Sequence, residues 1–169
     1  MSSDLITVLS EDHRAVEQVF DELQSRQGGP AQRSALVQHV IIALVRHAVT
    51  EQRYLYPLVR QELPDGDARA DREVSEHAEA ERVMADLDAV DPDDHRFEAL
   101  LAELVGQVRN HIEEEEHELF LRLTQAVPGD VLRELGDNVR RLMTAEPATD
   151  EQALHSGKGT VDTVREALG

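Results

Sequence analysis

Val108-Arg109-Asn110-His111-Ile112-Glu113-Glu114-Glu115-Glu116-His117-Glu118-Leu119-Phe120 is the stretch that decides the fold. At about 100° per residue, Val108, His111, Glu115 and Leu119 share one helical face, so a histidine and a glutamate sit in an apolar seam. Ionisable groups are rare there. The same i,i+4 pair recurs as His13–Glu17 in Leu9–His13–Val16–Phe20, as His47–Glu51 in Leu44–His47–Glu51–Leu55, and as His77–Glu81 in Val74–His77–Glu81–Met84. With twenty glutamates in 169 residues, chance gives about one such match among the eight histidines. Four, one on each expected helix, is an excess.

Around these seams the apolar period predicts helices over about 4–26, 31–63, 67–89 and 93–127. Ser3 caps the first and Gly28-Gly29-Pro30 stops it. The second carries Leu36, Val40, Leu44, Leu55 and Leu58, with Pro57 marking a kink or break. Pro64-Asp65-Gly66 precedes the third, which uses Val74, Met84 and Leu87. Pro92 is placed to open the fourth, whose seam is Phe97, Leu101, Leu104, Val108 and Leu119, and Pro128-Gly129 follows it. No stretch alternates as a strand would, so the expected fold is all-α: an antiparallel up-down-up-down four-helix bundle over residues 1–128. Residues 129–169 are expected to add a short amphipathic helix over about 131–143, built on Leu132, Leu135, Val139 and Leu142. A loosely attached tail from Thr149 follows, in which Val161 to Leu168 forms a helical turn or two at most.

Composition narrows the chemistry. The chain has 35 acidic and 17 basic residues, a net charge of −18, and no cysteine. Disulfides, thiolate nucleophiles and cysteine metal sites are therefore excluded, and a metal must be held by histidine and carboxylate. The charge repels nucleic-acid phosphates and anionic lipid, so neither nucleic acid nor membrane is an expected partner. The acidic start Met1-Ser2-Ser3-Asp4 is not a secretory signal, and Val40 to Val45 is too short to span a bilayer. A cytoplasmic protein is the expectation. No protein partner is indicated.

His77 lies 64 residues after His13, and His111 lies 64 after His47. At that shift Val19 meets Val83, Leu23 meets Leu87, Leu36 meets Leu100, Leu55 meets Leu119 and Tyr56 meets Phe120, so the two halves read as diverged copies. Packed face to face, they bring four histidines to one pseudo-symmetric centre. Burying two ionised carboxylates there costs several kcal/mol each unless a cation compensates. Nor does helix-surface pairing account for the pattern, because the favoured order puts the acid before the base.

The residues Asp12-His13, His47-Ala48-Val49-Thr50-Glu51 with Leu55-Tyr56-Pro57-Leu58, Glu76-His77, and His111 to Glu116 with Leu119-Phe120 resemble the hemerythrin-like family, the HHE cation-binding domain. The resemblance covers about residues 4–127. It implies a four-helix bundle around two non-haem irons, with His13, His47, His77 and His111 as nitrogen ligands and Glu51 and Glu115 as bridging carboxylates. Glu17 and Glu81 do not match the family's ligand positions and are read as inward polar groups around the site. The chain departs from the oxygen carriers at Glu73, where an HxxxH pair would place a histidine. Glu73, Glu81 or Tyr54 fills that vacancy, or the site stays more open.

Four nitrogen donors and two carboxylates that each bridge would supply four bonds to each of two metals, leaving room for an oxo or hydroxo bridge and a small exogenous ligand. Imidazole-rich ligation argues against calcium and magnesium, and an under-filled bridged pair favours iron over manganese or zinc. The resemblance implies binding or sensing of dioxygen, nitric oxide or peroxide, in the setting of oxidative or nitrosative stress. A di-iron enzyme of catalase or peroxidase type, detoxifying hydrogen peroxide or nitric oxide, is the alternative, and a metal-free helical interaction module is the second. His39, His95, His117 and His155 are expected on the surface, Glu115 alone of Glu113 to Glu116 is expected inside, and Tyr54 is expected to pack.

Overall fold

The computed structural model describes residues 3–145 and 159–168. Six helices result: α1 (Leu5–Gln24), α2 (30–62), α3 (Gly66–Asp88), α4 (97–126), α5 (Gly129–Ala145) and α6 (Thr160–Leu168). The first four form the antiparallel bundle, and no strand occurs among the described residues. The expected ends hold to within a few residues, with two differences of local chemistry. Asp4, not Ser3, caps α1: its carboxylate accepts from the Thr7 amide at 2.8 Å, where the helix dipole favours an anion. Helix α4 starts at Phe97 because Asp94 closes turns over 91–96, with its amide on Asp91 O and its carbonyl under the Phe97 amide. Pro92 is buried in that turn. At the other loop α1 ends through Arg26, a non-glycine residue in the left-handed region at φ 57°, and Gly28 takes φ 87° in the turn toward α2.

Apolar burial falls into two clusters. One contains Val16, Phe20, Val40, Leu44, Leu87 and Leu104; the other contains Leu5, Leu9, Leu55, Val59, Leu119 and Leu123. Along each of the four bundle helices the seam passes from one cluster to the other through a polar step: His13 on α1, His47 and Glu51 on α2, Glu73 and His77 on α3, all buried, and the half-buried His111 with the buried Glu115 on α4. These steps lie at one height and form a polar layer across the bundle. Val74, expected in the seam, is 37 % exposed. The inward stripe of α3 runs through Ala70, Glu73, His77, Ala80 and Met84, which leaves Val74 about 100° further round.

The two remaining helices cover the outside. α5 packs on α1, burying Leu132 and Val139. The expectation of a loose tail fails over 160–168: α6 lies on α2 and α3, with Val161, Val164 and Leu168 in the first cluster. Asp88 accepts from both the amide and the hydroxyl of Thr160, and Arg53 donates to the Leu168 carbonyl. The expected tail residues 149–158, His155 included, fall outside the described residues. Among the described residues no helix is long and apolar enough to cross a membrane.

Gly136 sets how closely α5 approaches α1. A Cβ there would sit 2.1 Å from Ser3 O and 2.6 Å from the Asp4 carbonyl carbon, both backbone atoms with little freedom to move. Gly136→Ala is expected to destabilise the chain by about 1–3 kcal/mol, the usual penalty of overpacking. Chemical denaturation measures it, and an unchanged midpoint would refute the close contact.

Candidate functional site

The histidines of the polar layer meet in pairs. His13 and His47 face each other Nε2 to Nε2 at 3.0 Å, and 64 residues later His77 and His111 do the same at 3.0 Å. Three of the four rings are fixed from behind: His13 Nδ1 donates to Glu116 at 2.8 Å, His47 Nδ1 to Asp12 at 3.2 Å, and His111 Nδ1 to Glu76 at 3.1 Å. A carboxylate can only accept, so the ring proton sits on Nδ1 and a neutral ring turns a bare lone pair inward. Two such lone pairs 3.0 Å apart repel unless a cation sits with them.

Each pair meets the same two carboxylates. Glu51 Oε1 lies 2.8 Å from His47 Nε2 and its Oε2 lies 3.2 Å from His77 Nε2. Glu115 Oε2 lies 3.4 Å from His13 Nε2 and its Oε1 lies 3.5 Å from His111 Nε2. Both side chains are fully buried, yet Glu51 Oε1 and both oxygens of Glu115 lack a hydrogen-bond partner. Buried charge left so is costly, and native proteins rarely leave it. His13, His47, Glu51 and Glu115 place one donor atom each within 4.8 Å of one another, as do Glu51, His77 and His111, and also Glu73, His111 and Glu115. Two cations spanned by Glu51 and Glu115 fit this donor set.

Both carboxylates begin a π turn, Glu51–Leu55 in α2 and Glu115–Leu119 in α4, closed by the amides of Tyr56 and Phe120 on the Glu51 and Glu115 carbonyls. The turns stand 64 residues apart, and Leu121 in α4 occupies the place of Pro57 in α2. Proline is therefore not required for the π turn, and where a kink or break was expected at Pro57 the helix is interrupted by the π turn just before it and then continues. The wider turn brings residues five apart to the same side. Tyr56 consequently reaches the site, its hydroxyl donating to Glu51 Oε2 at 3.1 Å and lying 3.3 Å from His77 Nε2. Phe120 stacks on His13 at the equivalent place, ring centres 5.9 Å apart.

All six expected ligand residues, His13, His47, Glu51, His77, His111 and Glu115, are thus together in the layer. Of the groups expected to fill the vacancy, Glu73 is there: it is buried, takes the Arg69 guanidinium on one oxygen, and holds the other 3.0 Å from His111 Nδ1. Glu81 points outward to Arg165 of α6, and Glu17 to Arg109. They tie helices together and do not enter the centre. Tyr54 packs in the second apolar cluster. Glu116, expected in solvent, instead orients His13 across the α1–α4 contact. Tyr56, Asp12, Glu76 and Glu116 are the site residues that a strict 3.6-residue period hides. The signal for Asp12 and Glu76 was their own 64-residue spacing. His39, His95 and His117 are exposed.

The electrostatics are those of a cation trap. Burial opposes a charged His47, but the carboxylates of Glu51 and Asp12 overcome it and raise its pKa to about 10. His111 is likewise raised well above its ordinary value, burial being outweighed by Glu115, Glu51, Glu73 and Glu76. Burial would raise Glu51, yet the imidazoles of His47, His111 and His77 hold it well below the carboxylate range. Burial and the charge of Glu51 raise Glu115. Burial and the surrounding carboxylates, Glu51 first, keep the Tyr56 hydroxyl protonated. Without metal, protons hold the place of cations.

Beside the layer opens a cavity of about 210 Å³, reached by all four histidines and walled by Val16, Leu44, Ala80, Met84, Val108 and Ile112. Glu79, Asn110 and Glu114 stand at its edge. It has the volume for a few waters or one small ligand.

A pH dependence follows from the trap. The folded-state pKa of His47, about 10, exceeds its ordinary 6.5. Its protonated form therefore stabilises the metal-free fold fully below about pH 6.5, and that contribution disappears as pH rises toward 10. Calorimetry of metal-free protein is expected to show a melting temperature that falls between about pH 7 and 10, and a smaller fall after metal loading. A rise across that window would contradict the trap.

Comparison with known proteins agrees with this arrangement. The profile of the hemerythrin HHE cation binding domain matches residues 4–123. A DNA nickase of a Nostoc species is 29 % identical over 113 residues, which are 67 % of this chain and 31 % of that protein, so the chain spans about a third of that relative's length. The crystal structure of a hemerythrin HHE cation binding domain-containing protein from Mycobacterium kansasii superposes with a TM-score of 0.81 over 96 % of this chain and 98 % of that one, at 18 % identity. That likeness concerns the fold. With the family profile covering most of its length, and a buried histidine and carboxylate layer able to hold metal, the chain belongs to the hemerythrin HHE cation binding domain family.

Proposed function

We propose that this protein holds two iron ions between its histidine pairs and binds a small uncharged ligand, dioxygen, nitric oxide or peroxide, from the adjoining cavity. The observation that carries this reading is the pair of Nε2-to-Nε2 approaches at 3.0 Å, each facing both Glu51 and Glu115. His13 and His47 would hold one ion, His77 and His111 the other, and Glu51 and Glu115 would bridge them. Glu73 stands ready as a further oxygen donor on the second side. Nitrogen and bridging oxygen donors together suit iron, with manganese or zinc as the lesser fits. When bound, such a pair supplies a Lewis-acidic, redox-capable centre with positions left for an exogenous ligand.

The chain's own residues supply the rest. Asp12, Glu76 and Glu116 hold the ring tautomers and orientations, worth 10- to 100-fold in metal affinity in comparable sites. The apolar part of the cavity wall, with the carboxylates of Glu76, Glu79, Glu81 and Glu114 also in the lining, favours small neutral guests over anions. The net charge of −18 opposes a DNA ligand, so the activity named for the Nostoc relative is not carried over.

Catalase-type turnover, in which two hydrogen peroxide molecules yield two waters and one dioxygen, is favoured as a second reading by Tyr56. Its buried hydroxyl keeps a proton beside Glu51 and His77. Oxygen evolution from added peroxide separates the two readings: a centre that binds without turnover removes the enzyme.

Elemental analysis of protein purified without added metal is expected to find about two iron ions per chain, and the near-ultraviolet and visible spectrum to show ferric bands in a chain without tryptophan. Less than one equivalent of any transition metal would overturn the proposal and favour a metal-free interaction module. His77→Ala is expected to lower metal content and melting temperature together, because metal binding energy adds to folding energy. Unchanged values for both would remove His77 from the ligand set.

A further inference from the structure

The two halves of the bundle are copies, but the polar groups around their histidine pairs are not. At the 64-residue shift Glu73 corresponds to Leu9, Tyr56 to Phe120 and Gln107 to Ala43. Glu73 approaches His111, Tyr56 approaches His77, and Gln107 lies one helical turn before His111 on α4. These three replacements put hydrogen-bonding capacity on the His77–His111 side where the His13–His47 side has an apolar group. Glu73 and Tyr56 already have partners there.

Gln107 differs. Its side chain lines the cavity beside the histidines, and its Oε1 is buried with no hydrogen-bond partner. The cavity lining mixes apolar Leu44, Ala80, Met84 and Val108 with the histidines and the carboxylates of Glu76 and Glu79, and no protein group donates to this oxygen. A buried acceptor left unpaired costs stability that Leu or Met at the same place would not. The amide becomes satisfied when the cavity holds a guest with an O–H to donate. Hydrogen peroxide and water have one, whereas dioxygen and nitric oxide do not.

We propose that Gln107 is a positioning residue that accepts a hydrogen bond from a protic ligand, hydrogen peroxide, next to the His77–His111 half of the site. The inference rests on the metal-centre reading above. It makes the site selective for peroxide over aprotic diatomics, through a residue that holds no metal.

Gln107→Leu tests it, with Gln107→Met as a second variant of closer shape. The variant is expected to take up iron to the same content as the wild type, since Gln107 holds no metal. After iron loading, the hydrogen peroxide concentration for half-maximal spectral change is expected to rise three- to tenfold, the equivalent of one hydrogen bond. The half-saturating nitric oxide concentration is expected to stay within twofold of wild type. Unchanged peroxide affinity in a folded, iron-loaded variant, or equal shifts for peroxide and nitric oxide, would overturn this inference alone. Failure of the wild type to take up metal would overturn it together with the reading it rests on. If Gln107→Leu does not fold, the same comparisons on Gln107→Met decide.

Discussion

Four imidazole lone pairs and two buried carboxylates face one another in the middle of an apolar bundle, and the rest of the structure depends on relieving that conflict. Neither hydrophobic burial nor helix propensity accounts for such a layer, because both favour Leu or Ala at every one of its positions. The layer is stable only with positive charge inside it, supplied by metal ions or by protons. The two apolar clusters on either side then do the work of folding, and they also seal the layer from water, which strengthens each charge interaction within it.

A doubled hairpin is the means by which this is built. The 64-residue repeat carries not only the histidines but their outer partners, Asp12 with Glu76, and the two π turns at Glu51 and Glu115. A pseudo-symmetric scaffold sets two equivalent histidine pairs against the same two carboxylates. Three departures from symmetry gather on the His77–His111 side: Glu73 for Leu9, Tyr56 for Phe120, Gln107 for Ala43. The outer helices follow the same logic. Glu17 finds Arg109 within the bundle, whereas Glu81 must take its arginine from α6, which ties the C-terminal helix to the face that carries His77.

Much of the bundle was legible because helical period and breaker residues act locally. The seams through His13, His47 and His111 read correctly, as did the stops at Gly28-Gly29-Pro30 and Pro64-Asp65-Gly66. The third seam was partly misread, since Val74 and Glu81 lie on the turn beside His77 and a single-residue phase error decides burial. Tyr54 packs as expected, whereas Tyr56 reaches the site unannounced: the π turn adds a residue to one helical turn, and nothing in the local pattern signals it. Glu116 was missed because its partner is His13 on α1, a contact that no local pattern shows.

The sequence by itself determined that four helices would each deliver a histidine to one level of a cysteine-free core, and that two carboxylates would stand with them, because spacing along a helix and the exclusion of bare charge from apolar seams are local constraints. Only the tertiary structure decided which groups close the shell and which hold helices together. It put Tyr56 and Glu73 at the centre, turned Glu17 and Glu81 outward, docked α6 where a loose tail was expected, and left Gln107 facing a cavity. Those outcomes depend on helix phase after a π turn and on which surface finds a partner, and both are set by contacts between residues far apart in the chain.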